Sequence, residues 1–271
     1  MNERALWGPF FWSIIMSYSV LVFDNKVLEC IYSLNLRVYT ASDTISKNSV
    51  TELIELLKVM PNVELIVCAE TINNEEVGTK IYEYIKENDL NIAIVIFGSS
   101  DKYDKAGDFD RFSTFLPLAT TIRTFVRTCA RHLAITSKDI ASKIMPEYLG
   151  IPIEHFIKLD RSACDLFTRV SEVNAELEFD RLFSANESLT TEAIEELKSQ
   201  GIKQLYIESS KRVNFVNSYT QSMLPKVIDT TQEHKRSEVM ETTTSMLLEQ
   251  IKEVGLTPAT MALADKTVKE V

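Results

Sequence analysis

Three places in this chain set polar residues directly after an apolar run, and each could do chemistry. Asp24-Asn25 follow VLVF, Ala69-Glu70 follow ELIVC, and Gly98-Ser99 follow IAIVIF. Carboxylates gathered at neighbouring strand ends can hold a divalent cation and take up a phosphoryl group. That reaction needs an acid in line with the phosphorus, which Ala69 cannot supply. Glu70 stands one residue out of register and reads as a loop carboxylate in water. A second group is basic: Arg123, Arg127 and Arg131 recur at spacing four, share one helix face, and form a candidate anion-binding face.

Other catalytic chemistry has little to work with. The three histidines, His132, His155 and His234, lie far apart in sequence, so each reads as a packing or surface residue and not as a metal ligand. Cys30, Cys68, Cys129 and Cys164 form no CxxC pair and sit mostly in apolar runs, as small buried hydrophobes in a reducing compartment do. No GxSxG elbow, GxxxxGK[ST] loop or GxGxxG turn occurs among the seven glycines, and no cofactor is expected. Lys plus Arg number 29 against 39 Asp plus Glu, a net charge of -10, which argues against nucleic acid as a partner. Residues 5–23 carry no charge and approach bilayer-spanning length. Gly8-Pro9 breaks that run and VLVF is claimed by the first strand, so the expectation is a cytoplasmic chain without an anchor, with Met16 an alternative start.

The elements that must position these residues follow from the pattern. Val20–Phe23, Val63–Cys68 and Ile92–Phe97 lack polar alternation and suit strands covered on both faces. Arg37–Ala41 reads as a second strand and Phe115–Leu118 as a fifth. Ser49-Val-Thr-Glu52 is a capping box opening one helix, and Asn73-Asn-Glu-Glu76 is read as the opening of another. A helix over 120–133 closes the unit. Alternation of strand and helix predicts a parallel sheet wrapped on both sides, an α/β arrangement. Residues from about 148 to 219 read as a small α+β unit, with the helix TEAIEELKSQ ending at Gly201 and leading into IKQLYIE. Residues 229–254 turn helical again, with Val239, Met246, Leu247, Ile251 and Val254 on one stripe that suits homodimerisation or an ordinary core helix.

The first half resembles a response-regulator receiver domain, with VLVFDNK as strand one and ELIVCAETI as strand three. The resemblance implies a flavodoxin-like sheet and a degenerate phosphoryl site at Asp24, Asn25, Ala69, Glu70, Gly98 and Ser99, with no lysine after FLPL: a pseudo-receiver over 16–135. The run from Asp165 to Val170, DLFTRV, and that from Gly201 to Ile207, GIKQLYI, are similar to the accessory region preceding the catalytic core of bacterial HD-GYP cyclic-di-GMP phosphodiesterases. That resemblance implies an accessory domain over 147–222 and a linker or dimerisation segment over 228–271. The core's own HD dipeptide, GYP loop and histidine cluster do not occur. Together these imply a non-catalytic signalling protein whose partner is a kinase, a cyclase or an HD-GYP enzyme, or else the sensory half of a longer or split phosphodiesterase.

Overall fold

Asn25 sets the first helix in motion. Its side-chain oxygen accepts from the backbone N–H of Val27 and of Leu28, both at 3.0 Å, and so caps α1 (Lys26–Thr40). The computed structural model describes residues 17–98, 112–117, 120–142, 146–173, 176–230, 240, 243–244, 246–248 and 251–252. Ser99, His234, Val239 and Val254 lie outside them.

The strands β1 (Tyr18–Val22), β2 (Asp43–Lys47), β3 (Val63–Ala69), β6 (Ala93–Gly98) and β7 (Ser113–Pro117) form one sheet in the order β2-β1-β3-β6-β7, and every pairing is parallel. This is the flavodoxin-like order of a doubly wound fold. Period-two alternation splits the apolar residues between two faces. Leu21, Leu65, Val67, Val95 and Phe97 join the core with α1 and with α4 (Ile122–His132). Val20, Val22, Ile66, Cys68, Ile94 and Ile96 join the other, with α2 (Val50–Val59) and α3 (Val77–Glu87). Ser49 caps α2 by accepting from the Glu52 N–H at 3.2 Å, while the Glu52 carboxylate accepts from the N–H of Asn48, one residue earlier than a capping box would place it.

Two expectations are corrected here. Arg37–Ala41 is not a strand: it is the last turn and cap of α1, which ends at Ala41 with φ 51°. The second strand is the polar DTISK of β2, which lies at the sheet edge and needs no apolar run. Asn73-Asn-Glu-Glu76 does not cap a helix. Asn73 and Asn74 both have positive φ, 50° and 65°, as the two-residue turn of a hairpin between β4 (Thr71–Ile72) and β5 (Glu75–Glu76) requires. The α3 N-cap, Glu76, makes no side-chain capping bond.

After α5 (Ser137–Ser142) a second, four-stranded antiparallel sheet forms. Its strands are β8 (Tyr148–Pro152), β9 (Leu166–Val173), β10 (Glu176–Phe183) and β11 (Gln204–Glu208), in the order β10-β9-β11-β8. The helix α6 (Thr191–Ser199) precedes β11, and α7 (Arg212–Thr230) follows it after a short 3-10 turn. The helix α7 runs unbroken through 222–228, where the sequence suggested a division. It packs on α1, and Asn35 Nδ2 donates to Thr220 Oγ1 at 3.1 Å across that contact. Ile151, Phe156, Leu205, Phe215 and Met223 share one apolar core with α1 and the sheet residues Leu21 and Phe97. Met246 and Leu247, on the stripe that suits homodimerisation or an ordinary core helix, are buried in that same core. Among the described residues no helix is long and apolar enough to cross a membrane.

Candidate functional site

In a doubly wound sheet of this order the natural ligand crevice lies at the carboxyl ends of the strands, where the strand order reverses beside β1. That edge brings together most of the residues singled out from sequence. Asp24 follows β1 and is exposed, and Asn25 beside it is half-buried. Ala69 ends β3, facing Phe97 of β6 across the ladder. Glu70 and Gly98 come next on the two strands, while Ser99 lies outside the described residues.

Glu70 differs from expectation: it is only 7% exposed, not a solvated loop carboxylate. Its N–H donates to the Phe97 carbonyl at 2.6 Å, which extends the pairing of β3 and β6 by one residue. Its carbonyl accepts from the N–H of Gly78 at 3.0 Å, which ties the corner to the first turn of α3. The carboxylate lies over the Cα of Gly98, in space that any Cβ at 98 would occupy. Gly78 is equally constrained, since a Cβ there would stand 2.8 Å from Ile96 Cγ2. Glycine at 98 is therefore what lets this glutamate fold inward, and glycine at 78 what lets α3 approach β6.

Asn25 is likewise committed. Its oxygen caps α1, and its Nδ2 donates to the carbonyl of Val227 on α7 at 3.2 Å. A side chain that would otherwise face the crevice is thus a tie between the first strand's end and a helix some two hundred residues on. Nothing near Asn25 in sequence signals this, because the partner is a backbone carbonyl. Among the described residues no three His, Cys, Asp or Glu side chains are grouped to hold a metal ion. Arg123, Arg127 and Arg131 line the exposed side of α4, well away from the strand-end corner in sequence, and Arg131 Nη2 donates to Thr114 Oγ1 at 3.4 Å. His132 Nε2 lies 2.7 Å from the same hydroxyl, and half-burial next to Arg131 holds its pKa below the usual value.

His155 is the more deeply buried of the two described histidines. It lies in the 3-10 turn Ile153–Phe156, it is 7% exposed, and neither ring nitrogen makes a hydrogen bond of ordinary geometry, although the Pro152 backbone lies close enough to favour its proton weakly. Burial, with the charge of Arg37 nearby, depresses its pKa to about 4.

No protein-family model matches the chain, and neither does any curated protein. Among solved structures it is similar to the signal receiver domain of a protein described as a LuxO repressor from Vibrio parahaemolyticus, with 17% identity and a TM-score of 0.39, over 47% of this chain and 98% of that one. It is also similar to a response regulator receiver domain protein from Bacillus halodurans, with 10% identity and a TM-score of 0.37, over 43% and 97%. An uncharacterised protein from Neptuniibacter caesariensis gives 17% identity and 0.38, over 49% and 99%. The fold assignment rests on the strand order and parallel pairing described above, not on these scores.

Proposed function

We propose that this chain is a cytoplasmic regulatory protein of a bacterial signalling pathway, of two-component or cyclic-di-GMP type, that acts through protein contacts and not through phosphoryl transfer. The observation that carries this reading is the state of the strand-end corner. Alanine stands where the nucleophile would be, Asn25 is spent on capping and on α7, and the Glu70 carboxylate is folded over Gly98. Phosphoryl transfer needs an in-line carboxylate and neutralised developing charge. The partner is a histidine kinase, a cyclase or an HD-GYP enzyme; a homodimer through 229–254 is the other contact proposed, and a monomeric mass in solution would remove it. The test is incubation with Mg²⁺ and either acetyl phosphate or beryllofluoride. The expected result is no covalent phosphate by mass spectrometry and no change in intrinsic fluorescence. A phosphorylated product, or a fluorescence change abolished by Asp24→Ala, would overturn it.

A second reading is the sensory half of an HD-GYP phosphodiesterase. It is favoured by the placement of the two motif-bearing segments, which lie on adjoining strands with Tyr206 opposite Phe167. Adding the chain in trans to an HD-GYP catalytic core and following cyclic-di-GMP hydrolysis separates the two. A change in turnover supports the sensory half, and an unchanged rate leaves the adaptor.

A further inference from the structure

The interior of a folded protein rarely leaves polar atoms without a partner, so those that are unpaired call for a reason. Among the described residues the buried side-chain atoms lacking a hydrogen bond are the Tyr32 hydroxyl, the Tyr219 hydroxyl and both ring nitrogens of His155. All but the first gather at one place, with the His155 and Tyr219 rings 6.1 Å apart where α1, the Ile153–Phe156 turn and α7 meet. The Tyr219 hydroxyl faces the Cys30 thiol, a weak hydrogen-bonding group.

A cleft of about 530 Å³ opens at this junction, and both His155 and Cys30 line it. That volume falls within the usual range for small-molecule sites. Val27 and Ile157 give it apolar walls, with Met223 behind. Its charged groups are not equivalent. Lys26 is paired with Glu29 at 2.8 Å and Glu154 with Lys198 at 3.8 Å, so these largely cancel. Lys158, exposed at the rim, has no such partner among the described residues. Arg37, behind His155, is likewise paired, with Asp43 at 3.3 Å. Once these pairs are set aside, the one lining charge left without an opposite partner among the described residues is the cation Lys158, although the whole chain is acidic. Burial keeps the His155 ring neutral, and its one donor and one acceptor lie just beneath the floor, where a ligand reaches them by pressing the lining side chains apart.

We propose that this cleft binds a small organic anion with an apolar body, its charged end at Lys158 and a hydrogen-bonding group reaching His155. The occupant would touch α1 and β2 of the first sheet's unit together with the turn and α7 of the second, so binding would report on how the two are held. This does not rest on the signalling role proposed above, and neither result decides the other.

Benzoate and phenyl phosphate serve as carboxylate and phosphate probes, with benzamide as the neutral isostere. Fragments of this size bind with Kd on the order of 1 mM. The full chain is titrated while the His155 Cε1–H resonance is followed by NMR. A saturable shift with one or both anions, and a much smaller one with benzamide, supports the site, and the stronger anion names the headgroup class. Ser46→Trp, an exposed residue at the mouth, is expected to abolish the shift without lowering the Tm, and Lys158→Ala to weaken binding about tenfold. His155→Phe is expected to raise the Tm while removing binding, because it replaces an unpaired interior polar ring by an apolar one. No saturable shift with either anion, an equal shift with benzamide, or a lower Tm in His155→Phe would each overturn the proposal.

Discussion

At the scale of single residues, the corner of Glu70 and the ring of His155 make opposite demands. Glu70 is accommodated because Gly98 has no side chain, so Gly98→Ala must displace not only a flexible carboxylate but also Glu70 Cβ. Overpacking of this kind costs about 1–3 kcal/mol, to be read as a lower midpoint in urea unfolding. Glu70→Ala together with Gly98→Ala should recover part of that loss. For His155 the sign follows from its depressed pKa. The unfolded chain takes up a proton near pH 6.5 and the folded one only near about 4, so stability holds above pH 6.5 and falls as pH drops from there toward 4. A shift of this size corresponds to roughly 3 kcal/mol at full extent. The groups around the ring, Arg37 and Cys30 on α1, Tyr219 on α7 and Glu154 beside it, leave that direction unchanged, since Arg37 is the charge that acts most on it. His155→Phe should flatten the stability profile between those limits. An unaltered slope would assign the acid sensitivity to other groups, of which half-buried His132 is the first candidate. Sequence alone could not reveal either residue's state. Glu70 looked like any loop acid, and the isolation of His155 depends on α1 and α7, which no spacing rule brings to it.

At the scale of elements, α1 shows both what was readable and what was not. The central strands declared themselves as unbroken apolar runs because helices cover both their faces, and β3 and β6 fall within a residue or two of where the runs placed them. The same double coverage hid α1. A helix packed on one side alone shows a single stripe, whereas α1 buries Val27, Leu28, Ile31, Tyr32, Leu34, Asn35, Leu36 and Val38, which leaves little solvent face to mark its period. Its last turn, with Val38, Tyr39 and Thr40, carries residues that favour strands, and it was read as one. The true second strand is an edge, polar and half-exposed, so its signal is weak. One substitution tests the element directly. Asn25→Ala removes the cap of α1 and its tie to Val227, and a capping loss alone costs about 1 kcal/mol. Asn25→Asp keeps the cap oxygen but not the donor. Asp restoring full stability would show that the Val227 bond contributes nothing, and a residual deficit would measure it.

At the scale of the molecule, the two sheets are joined through α1 and α7. Besides Asn35 and Thr220, the Tyr39 hydroxyl donates to Asn217 Oδ1 at 3.3 Å and Arg37 Nη2 to the Gly150 carbonyl at 2.9 Å. Arg37 also pairs with Asp43 at 3.3 Å, so one side chain links α1, β2 and β8. Residues in direct contact couple by about 0.5–3 kcal/mol, and a double-mutant cycle on Asn35→Ala and Thr220→Val should return a non-zero term. A value within error of zero would mean the hydrogen bond adds nothing beyond the apolar packing around it. The sequence divides into a unit over 16–135 and another over 147–222, and nothing in the linear order discloses the core they share. The burial of α1 on both sides carries a consequence for motion. The backbone amides slowest to trade with deuterated solvent should lie not in the middle strands, where such sheets are commonly most protected, but in this one helix, because neither half can breathe fully without exposing it.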